Sequence, residues 1–233
     1  MYKKKKYLAV ILARGGSKRL PKKNLINLDN KPLIAHTILS GMRCQYLDET
    51  IVSSDDKKIL DVSKKYGAKI IKRPKYLASD RANSVDALRH VVKNASSFDY
   101  LVLLQPTSPL RNEKHISEAI HLIEKKKADA IISVCKVEQN RPGSNFLPKN
   151  LSMRNFFKKK FLKKESQILK DCYILNGAIY ICKISPFLKE KSLFLKNKIY
   201  AYLMSKKDSV DIDTEADIKL ARQLIKKNSI EKK

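Results

Sequence analysis

Short apolar runs alternate with amphipathic stretches along most of the 233-residue chain. Residues 7–13 (YLAVILA) and 100–104 (YLVLL) are apolar throughout, the mark of strands buried on both faces of a parallel sheet. Residues 33–42 place Leu33, Ile34, Ile38, Leu39 and Met42 on one helical stripe behind Pro32. A short strand over 50–53 follows. Ser54-Asp55-Asp56 then opens a helix that runs to about Tyr66 and stops at Gly67. Residues 69–72 form a third strand, Ser84 precedes a helix over 85–93, and Asn112 caps a helix running to about Lys126. Strands over 130–135, 176–182 and 199–204 lead to a closing helix from Thr214 to about Lys227. Thr214 and Asp217 are spaced as a capping box with Asp in place of Glu. This alternation predicts an α/β fold with a mostly parallel, doubly wound sheet and right-handed crossovers, built as one domain over 1–233. Periodicity weakens and basic residues dominate from Lys136 to Tyr173, so 136–173 reads as a small inserted lobe.

Chemistry gathers where strands end. After the first strand comes LARGGSKRLPKKN, residues 12–24. Gly15 and Gly16 allow a sharp turn that exposes backbone N–H groups, and Arg14, Lys18, Arg19, Lys22 and Lys23 add charge. Such a loop suits a polyphosphate, or is a basic surface turn. It is neither a P-loop nor the three-glycine dinucleotide fingerprint. The strand at 100–104 runs into QPTSPLR, whose two prolines make a stiff loop at the sheet edge where ligands of open α/β folds bind. Asp211 and Asp213, two residues apart before the last helix, suit a hard cation such as Mg²⁺, or cap that helix.

Composition narrows the function. Net charge is +27, but the lysines are spread over the whole chain and come with no aromatic RNA-binding signature, which argues against nucleic acid as the main partner. The N-terminal MYKKKKYLAVILARGG imitates a secretory signal, yet its apolar core is short and runs straight into Arg14; it reads as a lysine-rich leader. No apolar run approaches the ~20 residues of a membrane helix. Cys44, Cys135, Cys172 and Cys182 show no CxxC spacing, which fits a reduced, cytoplasmic protein.

The loop over 12–24 resembles the signature of the acylneuraminate cytidylyltransferase family, R-x-x-S-K-x-(L/I)-P-x-K-N, at Arg14, Ser17, Lys18, Leu20, Pro21, Lys23 and Asn24. RPKYLASDRANS (73–84), LLQPTSPLR (103–111), NGAIY (176–180) and DIDTEAD (211–217) resemble further segments of that family. The resemblance implies a Rossmann-like nucleotidyltransferase fold. It implies transfer of CMP from CTP to the anomeric hydroxyl of an acidic nine-carbon sugar of the sialic, legionaminic or pseudaminic type, with release of pyrophosphate. In that reading Arg14, Lys18, Asp211 and Asp213 are catalytic. Leu12, Ala13, Arg14, Gly15, Ser17, Lys23, Asn24, Arg73 and Ser84 bind the nucleotide. Gln105, Tyr180 and Phe194 bind the sugar, and Arg111 braces its loop. Asp211 and Asp213 hold Mg²⁺ or Mn²⁺. Read without the resemblance, Arg73 is a turn arginine and Ser84 a helix cap, a role compatible with facing a ligand.

The resembling enzymes are dimers with exchanged lobes. Here Phe146, Leu147, Phe156, Phe157, Phe161 and Leu162 would stay exposed in a monomer, so a homodimer is expected. The chain also departs from the pattern. Sialic-acid enzymes carry a lysine shortly after the proline matched by Pro142, and arginines where Ser166 and Ile174 stand here. That departure favours a more deoxygenated sugar tail. A cytidylyltransferase for another acidic sugar, such as Kdo, is the alternative enzyme; a basic RNA-binding protein is the alternative of another class.

Overall fold

The computed structural model describes residues 1–80, 82–95, 97–137, 145–156 and 171–230. Its centre is a sheet in the order β10–β7–β9–β6–β1–β4–β5, with β8 paired to β9. The strands are β1 (Tyr7–Leu12), β4 (Glu49–Ser54), β5 (Lys69–Lys72), β6 (Tyr100–Leu104), β7 (Ala130–Val137), β8 (Asn145–Phe146), β9 (Cys172–Lys183) and β10 (Ile199–Met204). A two-stranded hairpin, β2 (Asn27–Leu28) with β3 (Lys31–Pro32), follows the basic loop. All main-path strands are parallel except β9, which runs antiparallel between β6 and β7.

Successive side chains of β1 go to opposite faces, and each face has its own cover. Tyr7, Ala9 and Ile11 pack with Ile34 and Ile38 of α1 (Leu33–Arg43), Ile59 of α2 (Lys57–Lys65), and Ile116 and Ile120 of α4 (Glu113–Lys125). Leu8 and Val10 pack with Leu88 and Val91 of α3 (Ser84–Asn94) and Phe187 of α5 (Ile184–Glu190). The sheet is thus covered on both sides, as an apolar run without alternation requires. At the far end of β1, Glu124 accepts from Tyr7 Oη (2.7 Å) and Lys5 Nζ (2.9 Å). Desolvation works against the carboxylate, but those two donors prevail and hold its pKa below the usual range.

A third, smaller cluster positions the site. Leu20 of the basic loop, Leu28, Leu33, Leu110, Val210 and Ile212 meet Ile218 and Ala221 of α6 (Glu215–Ile230). It ties the loop after β1 to the loop after β6 and to the segment carrying Asp211 and Asp213.

Several sequence expectations change. The N-cap of α3 is Asn83, whose Oδ1 accepts from Val85 N at 2.9 Å, so Ser84 is the first helical residue and not the cap. Strand β9 begins at Cys172, four residues before the expected start, and the 12 residues include a bulge opposite Ser133. Its first residues pair with β7 (Lys136↔Tyr173, Val137↔Cys172), so both ends of the expected lobe are sheet. Residues 138–144 and 157–170 of that lobe, including Pro142, Phe157, Phe161, Leu162 and Ser166, lie outside the described residues, and Phe146 is described by its backbone alone. Phe156 does not stay exposed. Residues 151–153 run along β10, with Met153 N donating to Ile199 O and Ala201 N to Leu151 O, and this tucks Phe156 and Met153 into the chain's own core; Leu147 is partly buried against it. Among the described residues no helix is long and apolar enough to cross a membrane.

Candidate active site

The carboxyl ends of β1 and β6 open into a cavity of about 560 Å³. One wall is the basic loop: Arg14, Ser17, Lys18, Arg19, Lys23 and Asn24. The other is Gln105, Tyr180 and Phe194, with Ser84 from α3 and Asp213 at the rim. Eleven of the residues assigned to the site from the sequence, Leu12 with all of these but Arg19, therefore meet at one opening although they span the chain from 12 to 213.

The loop is shaped from within. Gly15 N donates to Asp55 Oδ1 at 3.0 Å, and a Cβ at Gly15 would sit 2.9 Å from Asp56 Cβ, so only glycine lets the loop lie this close to the start of α2. Asp56 itself caps α2, accepting from Lys58 N and Ile59 N. Asn24 Nδ2 donates to Arg14 O at 3.0 Å, which closes the loop; its buried Oδ1 has no hydrogen-bond partner among the described residues.

Two aspartates pair with four of the loop's five cations. Asp80 takes Arg14 Nη1 at 2.9 Å and Lys18 Nζ at 2.7 Å. Asp213 takes Lys23 Nζ and Arg19 Nη1, each at 2.8 Å, and Lys23 also donates to Ile212 O at 2.9 Å. Lys23 is only 15% exposed, so its charge is committed to the 212–213 segment more firmly than that of Lys18, which is 76% exposed.

The opposite wall is braced from below. Arg111, 1% exposed, donates from Nη2 to Thr37 Oγ1 (2.7 Å), and Thr37 donates in turn to Gln105 O (3.3 Å). Burial lowers the Arg111 pKa, and its Nε and Nη1 have no partner among the described residues. The bracing role expected of Arg111 is what this geometry performs. Gly177 lies beside Gln105 at φ +75°, and a Cβ there would come within 2.7 Å of Gln105 Oε1. Asn176 holds the bulge of β9 to β7 and to the loop after β10, accepting from Ser133 Oγ and donating to Ser209 Oγ. Tyr180 and Phe194 meet edge to face at 6.3 Å.

Four expected residues lie off this cavity. Ala13 packs into the core of the α1 face. Gly15 spends its N–H on Asp55. Arg73 is buried behind the loop with Nε and Nη2 unpartnered among the described residues; desolvation lowers its pKa while Asp55 opposes the shift. Asp211 lines an adjoining cavity with Ile174, Leu175, Asn176 and Gly177, which shares Gln105 and Tyr180 with the first. Desolvation pushes the Asp211 carboxyl above the usual range although the residue keeps exposed surface; a hydrogen bond from Thr107 opposes this, and Asp213 and Asp217 add to it. Sequence reading gives Asp80 and Thr107 no role, Arg19 only a share of the loop's charge and Asp55 only a place at the start of a helix. Asp80 and Arg19 fell inside motifs, but nothing in their spacing announced ion pairs reaching 66 and 194 residues along the chain.

A family model described as Cytidylyltransferase matches residues 8–230. The chain belongs to the cytidylyltransferase family. Among its relatives, the N-acylneuraminate cytidylyltransferase of Escherichia coli O18:K1:H7 is 34% identical over 97% of this chain. The family member described here spans about half the length of the first curated relatives it matches, 54% of the E. coli protein. The CMP-N,N'-diacetyllegionaminic acid synthase of Legionella pneumophila is 35% identical over 95% of this chain and 97% of its own length. Among solved structures, a CMP:2-keto-3-deoxy-manno-octonic acid synthetase complexed with CTP superposes with a TM-score of 0.74, covering 96% of this chain and 99% of its own, at 17% identity. At that identity it establishes the α/β nucleotidyltransferase fold of this cytidylyltransferase-family chain and no more.

Proposed function

We propose that this chain transfers CMP from CTP to the anomeric hydroxyl of a nonulosonic acid and releases pyrophosphate. One observation carries the reading: a single cavity at the carboxyl edge of the sheet has a cationic phosphate wall on one side and a Gln–Tyr–Phe wall on the other. The sugar hydroxyl attacks the α-phosphorus in line, so the protein's task is positioning and charge neutralisation. Arg14 and Lys18 stabilise charge on the leaving phosphates. Asn24, through its unpartnered Oδ1, and Ser84 accept and donate hydrogen bonds to the nucleoside, while Ser17 and Lys23 flank the phosphates; Leu12 walls the nucleoside side. Arg73, behind the loop, adds positive potential there. Gln105, Tyr180 and Phe194 hold the sugar.

Asp211 and Asp213 fit Mg²⁺ or Mn²⁺. Both offer oxygen ligands, and the Asp213 and Asp217 charges that help disfavour the Asp211 anion would favour a cation beside it, for which Asp213 would exchange its contacts to Lys23 and Arg19. Such a cation, when bound, supplies charge for triphosphate oxygens. Among the described residues no cluster of three or more His, Cys, Asp or Glu forms a metal site, so the metal reading rests on these two aspartates and on substrate oxygens. CTP as donor places the reaction in the cytoplasm.

Pyrophosphate release from CTP, Mg²⁺ and a panel of sugar acids tests the activity; no release with any acid would favour the RNA-binding alternative. Kdo in that panel tests the second enzyme reading. A tail hydroxyl set against Ile174 or Leu175, rather than against Lys136, Asn176, Lys206 or Ser209 of the same lining, finds no side-chain partner. Each buried polar group left unpaired typically costs about 1–3 kcal/mol. Legionaminic- or pseudaminic-type acids are therefore expected to serve at least as well as N-acetylneuraminic acid. A kcat/KM more than about tenfold in favour of N-acetylneuraminic acid, roughly 1.4 kcal/mol, would reject that preference and leave the cytidylyltransferase assignment standing.

The homodimer rests on the family resemblance and on Phe157, Phe161 and Leu162, since Phe156 is satisfied within its own chain. Light scattering should give about twice the 26.7 kDa chain mass; a monomer at working concentration would contradict it.

A further inference from the structure

Asp80 stands between α3 and the 3₁₀ turn at Lys75–Ala78, and its two carboxylate oxygens are divided between two cations. Oδ1 meets Arg14 Nη1 at 2.9 Å and Oδ2 meets Lys18 Nζ at 2.7 Å. These are the two groups that the proposed reaction, on which this inference rests, assigns to the leaving phosphates. All three side chains are well exposed: 40% for Arg14, 76% for Lys18 and 51% for Asp80. The Lys18 ammonium and then the Arg14 guanidinium hold the Asp80 carboxyl below the usual carboxylate range, so it stays charged through neutral pH.

We propose that Asp80 is a displaceable counter-ion for the leaving-group cations, released when the β- and γ-phosphates of CTP bind Arg14 and Lys18 and taken up again as pyrophosphate departs. Exposed ion pairs are weak, so a polyphosphate carrying several charges displaces one carboxylate readily. The carboxylate nevertheless competes, and that competition lowers the affinity of the product that must leave. The contrast with Lys23 is physical. Lys23 is 15% exposed and doubly held by Asp213 and Ile212 O, whereas the Asp80 pairs sit in solvent.

The opposite role would be a brace, in which Asp80 aims the two cations at the phosphates. The two roles differ in sign. Inorganic pyrophosphate titrated calorimetrically into Asp80→Asn should bind about three- to tenfold more tightly than to the wild type, the sum of two exposed pairs. In steady state, pyrophosphate inhibition should strengthen by the same factor and KM for CTP should fall. Asp80→Glu, which keeps the charge, should return both toward wild type. Weaker pyrophosphate binding in Asp80→Asn would establish a brace and overturn the proposal; equal binding, or no binding to either protein, would overturn it as well. Should Asp80→Asn fail to fold, Asp80→Ser carries the same comparison. The titration needs no sugar acid. Tightening in the variant, with no wild-type turnover of CTP, would sink the proposed reaction and leave the counter-ion. Turnover with unchanged pyrophosphate binding would do the reverse.

Discussion

Lys18→Ala is expected to lower kcat by about 10²–10³, the usual cost of removing one preorganised group that meets charge developing in the transition state. The KM for CTP should rise by much less, because Lys18 acts on the leaving oxygens as they gain charge rather than on ground-state binding. Lys18 Nζ reaches the cavity from an exposed side chain held only by Asp80 among the described ion pairs. Its loss should therefore leave thermal stability within the small range typical of surface substitutions, about 0.5 kcal/mol either way. A kcat equal to wild type would return Lys18 to the solvated surface and leave Arg14 as the cation of that wall.

Asp211→Asn and Asp213→Asn keep side-chain shape and remove one charge each. Each is expected to cost at least about 10² in turnover while the fold persists, a loss in the range seen for single electrostatic groups. EDTA should abolish wild-type turnover, and added Mg²⁺ or Mn²⁺ should restore it. The two variants should differ in a second readout. Asp213 anchors Lys23 and Arg19, so Asp213→Asn loosens the basic loop and should lower the melting temperature. Asp211 sits where its charge is disfavoured, so Asp211→Asn should not lower it. Full wild-type activity in EDTA would reject the metal role, and Asp211 and Asp213 would then be left to their loop and helix contacts.

The sheet was readable because it is written in strong local patterns. Fully apolar runs such as 100–104 can hardly be anything but buried strands, and the stop at Gly67 (φ +91°) and the caps at Asn112 and Thr214 use side chains whose chemistry is local. Position-by-position matching of the loop likewise located one wall of the cavity. What was not readable depends on distance along the chain or on competition between neighbours. Asn83 and Ser84 are both good caps, and only the backbone decides that Asn83 takes Val85 N. The first third of β9 is Cys172-Tyr173-Ile174-Leu175, too short an apolar run beside the lysine-rich lobe to stand out, and the strand's antiparallel direction is seen only in its pairing with β6 and β7. The short α5 carries Pro186 inside seven residues, which hides a helical pattern. Of the four site residues that lie off the cavity, Ala13 and Gly15 belong to its scaffold because the core and Asp55 claim them first, Arg73 is buried behind the loop, and Asp211 faces the adjoining cavity.

The ion pair between Lys23 and Asp213 spans 190 residues. At synthesis rates of about 5–20 residues per second, roughly 10–40 s separate the emergence of the two partners. For that interval the basic loop, with Arg19 and Lys23, exists without the carboxylate that later holds it, and without Ile212 and Ile218 that later pack on Leu20. The nascent chain thus carries Arg19 and Lys23 without their carboxylate for that time. The site acquires its final shape only after α6 has been made, so a ribosome that stalls before the last helix leaves a sheet with an open, unanchored phosphate wall.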